Sequence, residues 1–275
     1  MNSSMINASV SMNALQQKLD MLADNIANVN TVGYKRKEAT FEDLLNNTRM
    51  QPDAFNQPGR LTSLNFNQGW GSRLAMIQPN LQQGTIKTTE KDTDLAIEGD
   101  ALFEVAVNAS GDRAYTRNGS LQLTVAANGD TILATPEGYP VVANTPAGEG
   151  PLVVPSGYHL RVNPDGTAEG VATDGSTIEL GSIKLVQATR PAALTLVADN
   201  LYEIADGINV TDVLQNVTPN GENGIALRQG ALEQSNVNLG DEMTELINVQ
   251  RAYQMAARAL TSSDTMMGLA NSLRK

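Results

Sequence analysis

Residues 5–26, MINASVSMNALQQKLDMLADNI, place apolar side chains at Met5, Ala8, Met12, Leu15, Leu19, Leu22 and Ile26. The steps alternate between three and four, the heptad spacing that gathers one apolar line along a helix. Such a line needs a partner, and the far end of the chain offers one. Leu239, Met243, Leu246, Tyr253, Ala257, Leu260 and Met267 follow the same rule, with Gln250 and Asp264 as polar interruptions. The pattern predicts an α+β protein whose long amino- and carboxy-terminal helices form a paired, coiled-coil-like stalk around which the rest is hung. Burying seven such side chains contributes on the order of 10 kcal/mol, whereas ordering backbone costs roughly 1–2 kcal/mol per residue. One seam does not hold a helix, so both ends are expected to be mobile in the free chain and to order when several helices surround each seam.

Five parts follow from the seams and the turn residues. The first, 1–33, is the amino-terminal helix, capped by Ser3 or Ser4 and running to about Asn28. It ends where Asn and Thr compete for backbone hydrogen bonds and where Gly33 suits a turn with positive φ. The second, 34–93, is rich in Asn and Gln, punctuated by Pro52, Pro58 and Pro79, and reads as a linker or as an arm anchored by Trp70, the single tryptophan. From Asp94 the period becomes two, in runs such as Leu121-Gln122-Leu123-Thr124-Val125, Leu160-Arg161-Val162 and Ile183-Lys184-Leu185-Val186. Asn118-Gly119, Asn163-Pro164-Asp165-Gly166 and Asp174-Gly175 separate them, so 94–205 is expected to be a central antiparallel all-β domain. Residues 206–230 are a return linker. The last part, 231–275, carries the carboxy-terminal helix, capped at Asn238 with Asp241 and Glu242 at its positive end.

Composition removes most chemistry. The 275 residues include no cysteine, which excludes disulfides, thiolate metal sites and cysteine nucleophiles. The single histidine, His159, leaves no His-based triad and no multi-histidine metal site. Asp92, Asp94, Glu98 and Asp100 are close together but lack the glycine-centred ligand spacing of an EF-hand loop. No cofactor or metal is expected, and no catalytic string is present, so the chain does not read as an enzyme. No run of 18 apolar residues exists, so membrane insertion is not expected. The start of the chain shows neither a basic leader nor a small-residue cleavage site, so no cleaved signal peptide is expected. Residues 1–50 carry five basic and five acidic groups, 231–275 four and five, and 51–230 ten and twenty. Near-neutral ends around an acidic middle argue against nucleic-acid binding, which needs a basic surface.

Several strings resemble the bacterial flagellar rod and hook proteins, the axial family of the basal body. Ala23-Asp24-Asn25-Ile26-Ala27-Asn28-Val29-Asn30-Thr31-Val32-Gly33-Tyr34-Lys35 is similar to that family's amino-terminal signature. Leu232-Glu233, Ser235-Asn236-Val237-Asn238-Leu239, Glu242-Met243-Thr244 and Gln250-Arg251-Ala252-Tyr253 are similar to its carboxy-terminal one. Between them, Gln83-Gly84-Thr85, Asp94 to Phe103, Tyr115 to Ser120 and Pro136 to Val141 resemble the blocks that open and lace its β domain. One departure is Ala101-Leu102, where the family usually has Gly-Phe.

The resemblance implies a structural subunit of the rod, exported through the flagellar type III apparatus and stacked with copies of itself and sister rod and hook proteins. Terminal helices would line a hollow shaft, β domains would lie outside, and torque would pass through the helices to the hook. The assembly residues it implies are Met12, Leu15, Leu19, Leu22 and Ile26 against Leu239, Met243, Leu246, Tyr253 and Leu260. Asn25, Asn28, Asn30 and Asn236 would supply polar contacts, and Gly33 would turn the chain outward. Read from the seams alone, a secreted adhesin or coat protein with a coiled-coil stalk is the alternative.

Overall fold

The computed structural model describes residues 3–43, 47–49, 66–68, 72–108, 112–126, 129–146, 148–197, 200–205, 207–220 and 224–273. Trp70 and the proposed anchoring role fall outside them. The chain forms two compact units, one comprising residues 1–26, 38–77 and 239–275, the other 27–37 and 78–238.

The first unit holds two long helices, α1 (Ser3–Ala27) and α3 (Leu239–Ser272). At 1.5 Å per residue the second is roughly 50 Å long. Beside them the strands Lys37–Asp43 and Ser72–Pro79 pair in a two-stranded sheet, and Asn47–Arg49 pairs antiparallel with Phe66–Gln68. Asp241 and Glu242 stand in the first turn of α3, where negative charge meets the partial positive charge of a helix start.

Antiparallel sheets build the second unit. Edge to edge, the largest runs Leu194–Leu196, Leu201–Ile204, Arg113–Thr116, Leu102–Ala106, Leu185–Ala188 and Leu214–Val217. Its alternating side chains feed two cores. Phe103, Val105, Leu185 and Leu201 join the larger one with Leu133, Leu152 and Leu160, while Leu102, Val186 and Tyr202 join a smaller one with Leu194 and Val213. Neighbouring residues of one strand are therefore both buried, and Leu102 is 1% exposed in the smaller core. A five-stranded sheet adds Gly148–Pro151, Val142–Thr145, Thr177–Ile183, Thr167–Ala172 and Tyr158–Val162. Residues 206–230, expected as a linker, carry the four-residue helix α2 (Val210–Val213) and the strands Leu214–Val217 and Ala226–Gln229.

Period two locates the strands but not always their buried side. Leu160 and Val162 point into the core, whereas Leu123 and Val125 are 40% and 67% exposed on a strand that, among the described residues, pairs with Thr131–Ala134 alone. Turn chemistry is followed closely. Asp165 accepts the Thr167 amide at 3.1 Å and hydroxyl at 2.6 Å, which hold its carboxyl below the usual range, while Gly166 adopts φ +83°.

Gly119 has a different duty. A Cβ there would lie 1.6 Å from the carbonyl oxygen of Leu95, whose amide donates to the carbonyl of Gly119 at 2.9 Å. Two backbones touch, leaving no room for a methyl group. Gly119→Ala is expected to destabilise the second unit by about 3 kcal/mol or more, the upper part of the range for overpacking, and a urea melt followed by circular dichroism would read it.

Candidate functional site

Two constellations stand out, one in each unit. In the first, α1 and α3 run antiparallel. Asn25, fully buried, donates from Nδ2 to the carboxylate of Glu242 at 3.1 Å, and Lys18 pairs with Glu245 one turn further on. Around these contacts Met21, Leu22 and Val249 are buried, with Leu15, Leu19 and Leu246 packed against them. The Lys18 ammonium also lies 5.4 Å from the ring centroid of Phe41, within cation–π range.

Of the α1 seam, Leu22 is buried while Met12, Leu15, Leu19 and Ile26 are half-buried. On α3, Leu246, Tyr253 and Leu260 are half-buried, and Leu239 and Met243 are 44% and 50% exposed. The buried line of α3 is displaced from the apolar one: Glu242, Val249 and Ser263, at multiples of seven, are 3%, 4% and 4% exposed. Two of those three are polar, so hydrophobic periodicity does not mark them. On the side of α3 away from the buried line, Ile247, Met255, Met266 and Leu269 are 47%, 64%, 62% and 65% exposed.

The second constellation begins where α1 stops. The Thr31 amide returns to the carbonyl of Asn28 at 3.2 Å and the Thr31 hydroxyl to the Asn28 side chain at 3.0 Å, closing the turn that ends in Gly33. Asn28 is half-buried and Asn30 exposed. Gly33 takes φ +69°, and a Cβ on it would lie 2.6 Å from the backbone of Arg117 and Asn118. Its amide donates to the carbonyl of Glu233 at 2.9 Å.

Beyond that turn lie three buried charges. Lys35, Arg117 and Glu233 are 1%, 3% and 2% exposed. The Lys35 ammonium donates to Glu233 Oε1 at 2.8 Å and to the carbonyls of Leu81 and Gln82 at 3.1 and 2.7 Å. Arg117 donates from Nε to Glu233 Oε2 and from its other nitrogens to the carbonyls of Ala101 and Ile97. Glu233 Oε1 also takes the Gly84 amide at 2.6 Å. Burial and then the Arg117 charge push the Lys35 pKa below its ordinary 10.5, with Glu233 pulling the other way. Three separate segments, at Lys35, Gly84 and Arg117, thus converge on one carboxylate.

Asn236, three residues on, repeats the arrangement at smaller scale. Its Oδ1 accepts the Arg36 amide at 2.7 Å, and its Nδ2 donates to the carbonyls of Asn80 and Gln82, both at 2.9 Å. The side chain expected to reach a neighbour is occupied inside its own chain. Lys35, Arg117 and Glu233 stand within the quoted motifs, yet their role is invisible there, because nothing in a sequence says that three isolated charges will meet.

Among the described residues no group of three or more His, Cys, Asp or Glu could hold a metal ion. Asp94 is buried and accepts the Thr89 hydroxyl at 2.8 Å, and His159 is exposed on its strand.

Comparison with known proteins places these constellations. Residues 6–35 match the family described as flagella basal body rod protein, 96–176 the flagellar hook protein FlgE/F/G D1 domain, and 228–273 the flagellar basal body rod FlgEFG protein C-terminal family. The chain is 35% identical to the flagellar hook-basal body complex protein FlhP of Bacillus subtilis, over 98% of this chain and 99% of that one. It is 32% identical to the flagellar basal-body rod protein FlgG of Borreliella burgdorferi, over 98% and 97%. To FlgG of Agrobacterium fabrum it is 32% identical, over 95% of each. The chain belongs to the flagellar basal-body rod and hook protein family. Lys35, Arg117 and Glu233 each fall in a different one of the three matched segments.

Removing the anion should be costly. Glu233→Gln leaves two buried cations without a counter-charge and is expected to cost about 3–5 kcal/mol. The loss should shrink as pH rises toward 10.5, because a Lys35 held below that value sheds its proton in the folded chain before the unfolded one does. In Lys35→Met/Glu233→Gln the two losses should be non-additive by more than about 1 kcal/mol, measured by urea denaturation.

Proposed function

We propose that the chain is a structural subunit of the bacterial flagellar basal-body rod, located in the basal body and stacking with copies of itself and with homologous rod and hook proteins. The assembled shaft is hollow and carries motor torque to the hook. The observation that carries this reading is the strip of apolar side chains on the outer side of α3, Met243, Ile247, Met255, Met266 and Leu269, which are 47–65% exposed. A single soluble chain gains nothing from such a line, whereas burial between packed helices would bring about 1.5–3 kcal/mol per side chain.

In this reading 1–33 and 231–275 form the axial core as a paired, coiled-coil-like stalk, with 94–205 as cladding, 34–93 as an arm and 206–230 as the return. Heterologous contacts that do not close produce a helical stack. Met12, Leu239, Met243, Tyr253 and Leu260 supply the apolar contacts between subunits, and Asn28 and Asn30 the polar ones. Leu15, Leu19, Leu22, Asn25, Ile26 and Leu246 serve the contact inside the subunit as well. Gly33 directs the chain outward. Delivery as an extended chain through the flagellar export apparatus fits a fold that has no disulfide to form.

The two kinds of residue separate by experiment. Met243→Asp changes an exposed position, so the purified chain should melt within about 0.5 kcal/mol of the parent while cells carrying it lose swarming. Leu19→Asp and Leu246→Asp should abolish motility and also release α1 and α3 to protease, with the β unit intact. Normal swarming by the Met243→Asp and Leu19→Asp strains would overturn the reading.

A further inference from the structure

The points where the chain leaves toward α1 and returns toward α3 belong to the same compact unit, and side chains tie them together. Residues 33–36 and 233–236 are joined by the Gly33 amide on the Glu233 carbonyl and by the Arg36 amide on Asn236 Oδ1. A third strip, 80–85, lies against both. The Asn80 amide donates to the carbonyl of Arg36 at 2.8 Å, the Gln234 amide to the carbonyl of Thr85 at 2.9 Å, and Asn236 Nδ2 to two carbonyls of the strip. Contact is so close at Gly84 that a Cβ would lie 2.1 Å from the Gln234 carbonyl oxygen. Three of the four hydrogen-bonding directions of the Asn236 carboxamide are used, both donors and one acceptor lone pair.

We propose that Asn236 is a positioning residue that fixes the separation between the two helix roots, rather than a contact to neighbouring subunits, so that every copy presents its amino- and carboxy-terminal helices in one spacing. The proposal rests on the rod reading above. Glu233 and its two cations hold the interior of the same junction, and their loss threatens the fold; Asn236 is half-buried at the junction's edge, where a truncation removes three hydrogen bonds but no charge. A subunit with a loose root still folds its sheets. In a stack, an error at each root is repeated at every copy, so a spread too small to affect the monomer misaligns the assembly.

The absence of cysteine makes the test direct. Spin labels at Asn30→Cys and Asn238→Cys, both exposed and both in this unit, report the root separation by double electron–electron resonance. The otherwise unchanged chain should give one narrow distance distribution. With Asn236→Ala added the distribution should at least double in width, while the circular-dichroism melt of the sheets shifts by a few degrees at most. The unlabelled Asn236→Ala strain should lose at least nine-tenths of its swarming rate.

A distribution that stays narrow, or one that broadens with full swarming, overturns the proposal. Should Asn236→Ala fail to fold, Asn236→Asp replaces it, keeping the acceptor for the Arg36 amide while lacking both donors, and the same broadening is expected. Unfolding of both variants overturns the positioning role in favour of a purely structural one. If deletion of the whole chain leaves cells motile while Asn236→Ala still broadens the distances, the rod reading fails and the positioning of the roots stands.

Discussion

One carboxylate, that of Glu233, is the constraint on which the second unit depends. Two cations, Lys35 and Arg117, are buried beside it, and a buried cation is tolerated only with its charge answered and its hydrogens placed. Here the ammonium makes three hydrogen bonds and the guanidinium one from each nitrogen, all to the carboxylate or to backbone carbonyls of residues 81, 82, 97 and 101. The arrangement holds the segment after α1, the opening of the large sheet and the last strand before α3 to one point. Without the Glu233 carboxylate the junction would hold two buried cations, Lys35 and Arg117, and lose the carboxylate that both of them bond.

The first unit is held differently. Its buried contact is short, three apolar side chains with one hydrogen-bonded Asn–Glu pair, and much of α3 faces outward. That contrast between a tightly locked β body and sparsely covered helices is what a subunit needs if its helices are to be completed by others. A fully buried helix pair would have little left to offer a neighbour, and an unlocked body would let the helices wander.

How much could be read beforehand differs by feature. Two long terminal helices and a middle of antiparallel strands were legible because periods of 3.5 and 2 are written in the side chains, and Gly33 was legible because a helix ending in Asn and Thr needs a residue tolerant of positive φ. The buried side of α3 was not, since Glu242 and Ser263 occupy it and burial of a polar residue depends on a partner, Asn25 for Glu242, some two hundred positions away. Asn236 looked like a surface contact for the same reason. Lys35, Arg117 and Glu233 could be quoted but not joined: their meeting is a product of the topology.

The residues left in the open on α3 include four methionines, Met243, Met255, Met266 and Met267. An unbranched thioether has three soft torsions and a polarizable sulfur, so it reshapes itself to whatever lies opposite at little cost. In a tube built from several related proteins, one copy faces its twin and the next a cousin, and a rigid valine or isoleucine would suit only one of them. The same softness carries a chemical liability, because oxidation of those sulfurs to sulfoxide turns adaptable grease into fixed polarity. Peroxide would then age such a tube at its seams well before it touched the sheets.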